Sequence, residues 1–168
     1  MRLTAFADGR FVSDLGETRA ALGRGGVVEA ARKREGDGAT PLGAWRLVRV
    51  LFRPDRSPPP ETALPVAPIA PDDGWSDDPA DPDYNRPVTH PHPFSAERLW
   101  REDELYDAVV VLAHNDDPPV PGAGSAIFLH CAKPGLPPTE GCVALPRAEL
   151  LALLREVRPG DRLEVRRA

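Results

Sequence analysis

The sequence predicts a mainly β, loop-rich domain with one or two short helices and a long proline-rich excursion. Three observations predict it. Short β-forming runs are punctuated by Gly and Asp-Gly turns, only one stretch carries clear helical periodicity, and 21 of 168 residues are proline, against ~5% ordinarily. A chain of 168 residues suits one domain spanning 1–168, and at this size it buries a core without disulfide staples.

The elements follow in order. Leu3–Ala7 and Phe11–Ser13 flank Asp8-Gly9-Arg10, a hairpin signal. Glycine turns follow at 23–26 and 36–38, and Ala44–Phe52 reads as a strand whose apolar tail is buried on both faces. Between Pro54 and Pro93 lie 12 of the 21 prolines and six aspartates from Asp72 to Asp83. Proline removes ladder donors, so a regular sheet interior is not expected there. Trp75, Tyr84 and Phe94 argue for an ordered excursion rather than an interdomain linker, and the Asp72–Asp83 run, which lacks the spacing of a calcium loop, reads as a solvated acidic loop. Ser95–Arg101 predicts a short helix capped by Ser95. Tyr106–Ala113 and Ser125–Ala132 predict buried strands. Pro146–Val157 is the clearest helix, with Leu150, Leu153, Leu154 and Val157 in an i, i+3, i+4, i+7 stripe, and Asp161–Arg166 alternates as a final strand.

Charge and composition exclude several classes. A net charge of −5 disfavours a nucleic-acid binder, which needs a basic face. No run of 18 apolar residues exists, so no membrane-spanning helix is expected, and Met1–Arg10 lacks the apolar core of a secretory signal. Two cysteines, Cys131 and Cys142, exclude a disulfide scaffold and a four-thiolate zinc site, while one disulfide between them stays open. Neither a metal nor a cofactor is expected.

The chemistry concentrates at His130 and Cys142. His130 ends a predicted strand, and Pro134-Gly135-Leu136-Pro137-Pro138 reverses the chain before Thr139-Glu140-Gly141-Cys142. That reversal can bring thiol and imidazole together, and an imidazole that takes the thiol proton makes a nucleophile. Gly141 gives the backbone room to expose sulfur, and nearby N–H groups offer an oxyanion hole. Cys131, one position from His130, faces the opposite side by strand alternation and reads as packing.

Ser125–His130, the Pro/Gly turn and Thr139-Glu140-Gly141-Cys142-Val143 together resemble the active-site signature of the L,D-transpeptidases, the YkuD-type catalytic domain. Glu35–Trp45, with Thr40-Pro41-Leu42-Gly43 inside it, is similar to that family's Gly-x-x-Thr-Pro-x-Gly stretch. The resemblance runs from about Arg24 to Val165. It implies a β-sandwich with Cys142 and His130 beside a groove for peptidoglycan stem peptides. Cys142 would attack the carbonyl before a terminal D-residue, with His130 as base and the Cys131 backbone carbonyl as third member. An amine from a second stem would resolve the acyl-enzyme into a 3→3 or 1→3 cross-link.

The same resemblance implies covalent inhibition by carbapenem-type β-lactams and a location in the cell envelope or periplasm. Glu140 stands where many members carry His, and Ala144 where many carry Arg. Thr139 is a substrate-side candidate within the motif. His114 and Asn115 are read either as substrate contacts or as a structural turn, and Trp75, Tyr84 and Asn85 as a lid over the groove. Two alternatives accompany this reading: an L,D-carboxypeptidase, in which water replaces the amine, and a wall-binding module without turnover.

Overall fold

The computed structural model describes all 168 residues. Its first hairpin joins β1 (Arg2–Phe6) and β2 (Arg10–Ser13) through Gly9 at φ 83°, and β3 (Gly16–Arg19) extends it. After β4 (Val27–Glu29) comes β5 (Thr40–Phe52), the spine of the molecule. Residues 43–46 of β5 pair antiparallel with the last strand, and residues 47–52 pair with a different one. One long strand thereby couples the terminal hairpin to the strands that carry the site.

Within the excursion β6 (Val66–Pro68) adds to β5, while β7 (Asp73–Ser76), β8 (Pro87–Thr89) and β9 (Ala96–Arg98) form a separate three-stranded sheet. The main sheet continues through β10 (Ala108–Leu112), β11 (Phe128–Cys131) and β12 (Val143–Leu145). The chain closes with α1 (Arg147–Glu156) and β13 (Arg162–Arg166). The order in the main sheet is β12-β11-β10-β5-β13-β1-β2-β3. The result is a mainly β sandwich that approaches a closed barrel, as the sequence predicts. Its one α-helix is too short to cross a membrane.

Strand alternation places the core on both faces of β10. Ala108, Val110 and Leu112 join a large cluster with Leu129, Cys131 and the α1 residues Leu150, Leu153 and Leu154. Val109 and Val111 point the other way, into a smaller cluster with Ile69, Trp75, Leu99, Phe128 and Cys142. A period of two with both faces covered is why these strands read as unbroken apolar runs.

Two expectations need correction. Ser95–Arg101 is not a helix: Ala96–Arg98 pairs with β7, and the Ser95 carbonyl accepts from the Asp77 N–H at 3.2 Å instead of capping a helix. Seven residues cannot offset the cost of nucleating a helix when a strand edge is on offer. The excursion is ordered as expected but less irregular, because its prolines avoid the sheet centre. Pro87 opens an edge strand, and central β7 contains none.

Candidate active site

Cys142 sits where a tight turn enters β12. Gly141 has φ 132°, and a Cβ there would lie 2.9 Å from the Ala39 carbonyl oxygen, so only glycine fits without strain. The Thr139 hydroxyl accepts from the Gly141 N–H at 3.1 Å and donates to the Cys142 carbonyl at 2.7 Å. Fully buried Thr40 supports the turn from behind, accepting from the Gly23 N–H at 2.8 Å and donating to the same carbonyl at 3.4 Å. The Thr40-Pro41 stretch thus braces the cysteine turn across 102 residues of chain. Because Thr139 consumes the Gly141 N–H, that donor is not free for an oxyanion. Gly141 serves the turn's shape instead.

The thiol lies between the Phe128 N–H at 3.3 Å and the Ala126 carbonyl at 3.2 Å. Residues 125–127 do not pair as strand, although the sequence predicts one from Ser125. Ala126 adopts φ 52°, a left-handed conformation unusual for a residue with a side chain, and this turns its carbonyl toward sulfur. Asn85 fixes that conformation. Its Oδ1 accepts from the Ala126 N–H at 3.0 Å and the Trp75 indole N–H at 2.8 Å. Its amide N–H groups donate to the carbonyls of His114 at 3.2 Å and Asn115 at 2.6 Å. A carboxamide has two donors and two acceptor sites, and all four are used.

His130 is held by its own strand. Nδ1 donates to the Cys131 carbonyl at 2.8 Å, which leaves Nε2 with its lone pair. The Tyr106 ring meets the imidazole edge-on at 5.4 Å. Burial pushes His130 down to about 4 and Cys142 up to about 12, the latter reinforced by the charge of Glu97. At neutral pH the resting pair is therefore thiol and neutral imidazole, not an ion pair. No hydrogen bond joins them, because the thiol is engaged by Ala126. Cys131 turns its sulfur into the large core, 3.8 Å from the Ala108 carbonyl, and both cysteines are free thiols.

Both groups line a cavity of about 480 Å³. Leu105, Tyr106, Pro137 and Pro138 give it apolar walls, and Thr139 and Ala144 line it with Cys142. Glu35, Asp77, Glu97 and Glu140 supply acid, while Arg101 and Lys133 supply base and share Asp103 at 2.7 and 3.5 Å. His114, Asn115, Trp75, Tyr84 and Asn85 do not line it. His114 is buried edge-on against Trp45, and Asn115 spends its amide on the carbonyls of Val120 and Gly124. Trp75 and Tyr84 are 5% and 2% exposed. The lid expected of them is instead a support behind the site, since rings this large gain more by burial than by covering an open groove. Sequence reasoning missed Glu97, Tyr106 and Arg101, which no local motif marks.

The sequence profile of the L,D-transpeptidase catalytic domain, YkuD, matches residues 1–165. The chain belongs to this family. No curated protein and no solved structure matches it. This L,D-transpeptidase domain departs from the common motif at two positions whose surroundings are now visible. Glu140 forms an exposed ion pair with Arg24 at 2.8 Å, and Ala144 is buried beside the cavity. The family acts on peptidoglycan, a polymer of the cell envelope.

Proposed function

We propose that the protein is a cysteine L,D-transpeptidase that joins peptidoglycan stem peptides through an acyl-enzyme on Cys142. The observation that carries this reading is the shared cavity: Cys142 and His130 line it together, and His130 is fixed by the Cys131 carbonyl.

The donor carbonyl before a terminal D-residue approaches sulfur. Cys142 turns from Ala126, passes its proton to His130 Nε2 and forms the C–S bond. The resulting imidazolium donates that proton to the departing D-amino acid as the C–N bond breaks. An amine of a second stem then attacks the thioester, its surplus proton passes to His130, and the thiol is regenerated. Because the resting pair is neutral, proton transfer is coupled to attack rather than completed before it. The linkage is 3→3 or 1→3 according to which acceptor the cavity admits, and carbapenem-type β-lactams acylate the same sulfur.

The test is incubation of purified protein with sacculi, followed by mass spectrometry of the released muropeptides. Cross-linked dimers from wild type, absent with Cys142→Ser, are the expected result. Shortened stems without dimers would establish a carboxypeptidase, and unchanged stems a module without turnover.

A further inference from the structure

Aminolysis also requires an acceptor nitrogen with a free lone pair. An alkyl amine with a pKa of about 10 reaches the site as an ammonium, which has no lone pair with which to attack. His130 takes the proton released after attack, so without a second base only the small free fraction of the amine could react at neutral pH. We infer that Glu97 receives the acceptor ammonium and removes its first proton, which favours amines over water as acceptors; the inference rests on the transpeptidase reading.

Of the cavity carboxylates Glu35, Asp77, Glu97 and Glu140, Glu97 is the one tied by a hydrogen bond to the ring that packs on His130. Its Oε1 accepts from the Tyr106 hydroxyl at 2.5 Å, and Tyr106 packs edge-on against both His130 at 5.4 Å and Phe128 at 5.9 Å. The carboxylate is thereby locked to the aromatic wall of the nucleophile, and its second oxygen makes no hydrogen bond. Arg101 lies 3.8 Å away but is committed to Asp103 through two bonds of 2.8 and 2.7 Å. Glu35 is held away from the Tyr106 ring, accepting on Oε2 from the Tyr84 and Ser125 hydroxyls at 2.5 and 2.7 Å, and Asp77, whose Oδ1 is buried without a partner, makes no bond to it. Glu140 pairs outward with Arg24, its side chain 78% exposed. Glu97 is also the one carboxylate whose charge reaches the thiol and raises it.

The groups that face Glu97 are Tyr106, Arg101, Asp77, Glu35 and Cys142. Burial raises its carboxyl, with Asp77 and Glu35 adding to the rise, while Tyr106 and Arg101 oppose it. A carboxylate raised in this way is a stronger base than an exposed one. The step balances. R–NH3⁺ and the Glu97 carboxylate give R–NH2 and the carboxylic acid. The free amine adds to the thioester carbon, the C–S bond breaks, and the nitrogen's surplus proton returns to sulfur through His130. Glu97 then releases its proton to water at the cavity mouth.

The experiment forms the acyl-enzyme from a donor stem peptide and offers it two amines in parallel. One is an alkyl amine, protonated at neutral pH; the other is hydroxylamine, which is already neutral. Glu97→Gln keeps an acceptor for the Tyr106 hydroxyl and removes only the base. The ratio of alkyl-amine to hydroxylamine transfer is expected to fall about a hundredfold, and to recover as pH approaches that of the free alkyl amine. An unchanged ratio overturns the inference. If the variant does not fold, wild type decides across a pH series. Transfer to the alkyl amine above what its free fraction allows supports the inference, and transfer that merely tracks that fraction overturns it. Absence of any acyl-enzyme in wild type overturns the transpeptidase reading itself, and this inference with it.

Discussion

The large core gathers 22 buried residues between the main sheet and α1, and the small one gathers nine on the other face. The same strands feed both: β10 sends Val110 one way and Val109 and Val111 the other. Their chemistry differs. The large core is aliphatic apart from Phe11 and Cys131, and apart from the Cys131 thiol its members are constrained by shape alone. The small core contains the Trp75 indole N–H, the Tyr106 hydroxyl and the Cys142 thiol, each with a named partner. Apolar packing tolerates rearrangement, whereas a buried donor stripped of its partner costs about 1–3 kcal/mol. The large core therefore sets whether the protein folds, and the small core sets where the sulfur points.

The two cysteines give the sharpest test, one in each core. Cys142→Ser is expected to lower cross-linking by at least about three orders of magnitude, since a hydroxyl lacks thiolate character. Cys131→Ser is expected to keep most activity and lose about 1–3 kcal/mol of stability by burying a hydroxyl. Comparable loss of turnover in two folded variants would break the distinction.

A second test sets Leu150→Ala against Asn85→Ala. Leu150 is fully buried in the large core, and its truncation should cost about 2–5 kcal/mol in urea melts. The alkylation rate of Cys142 should stay near wild type under folding conditions. Asn85→Ala should cost a similar amount by releasing four hydrogen bonds, yet change the alkylation rate severalfold. Equal reactivity in both variants would mean that the small core does not aim the thiol.

The third test uses pH. His130 and His114 titrate at about 4 in the folded protein, burial being the main cause, against an ordinary 6.5. Above pH 6.5 both are neutral whether folded or not, so their contribution is fully present. As pH falls from 6.5 toward 4 the unfolded chain takes up protons that the folded chain refuses, and stability is lost. Each shift is worth on the order of 3 kcal/mol at most. His114→Gln should flatten the decline of Tm across this window, and an unaltered decline would remove His114 from the account. The smallest effect is expected from Trp75→Phe. It keeps the ring against Phe128 but drops the bond to Asn85, at about 1 kcal/mol, with cross-linking lowered more than Tm.

Legibility in the sequence followed the same division. The first hairpin, β10, α1 and the last strand were readable because alternation or a helical stripe encodes burial locally. β3, with the polar sequence Gly-Glu-Thr-Arg, and the three-residue strands carry no such signal, because their partners define them. At the site, Cys142 and His130 were visible through residue type and order. The Asn85 contacts and the Glu97–Tyr106 pair were not, since they join segments 9 to 41 residues apart through single side chains. Ala126 illustrates the limit: nothing in Ser-Ala-Ile-Phe announces a left-handed residue, and the amide that imposes it lies in another segment.

The saturated amide of Asn85 also has a consequence for the order of folding. Its four partners lie in β7, in the turn after β10 and in the approach to β11, so the node closes only after those segments have met. We expect the main sheet to assemble first and Ala126 to swing its carbonyl to the sulfur last. During refolding, the native alkylation rate of Cys142 should therefore appear after the far-ultraviolet signal of the sheet has recovered. Simultaneous recovery would show that the fold and the Cys142 environment mature in one step.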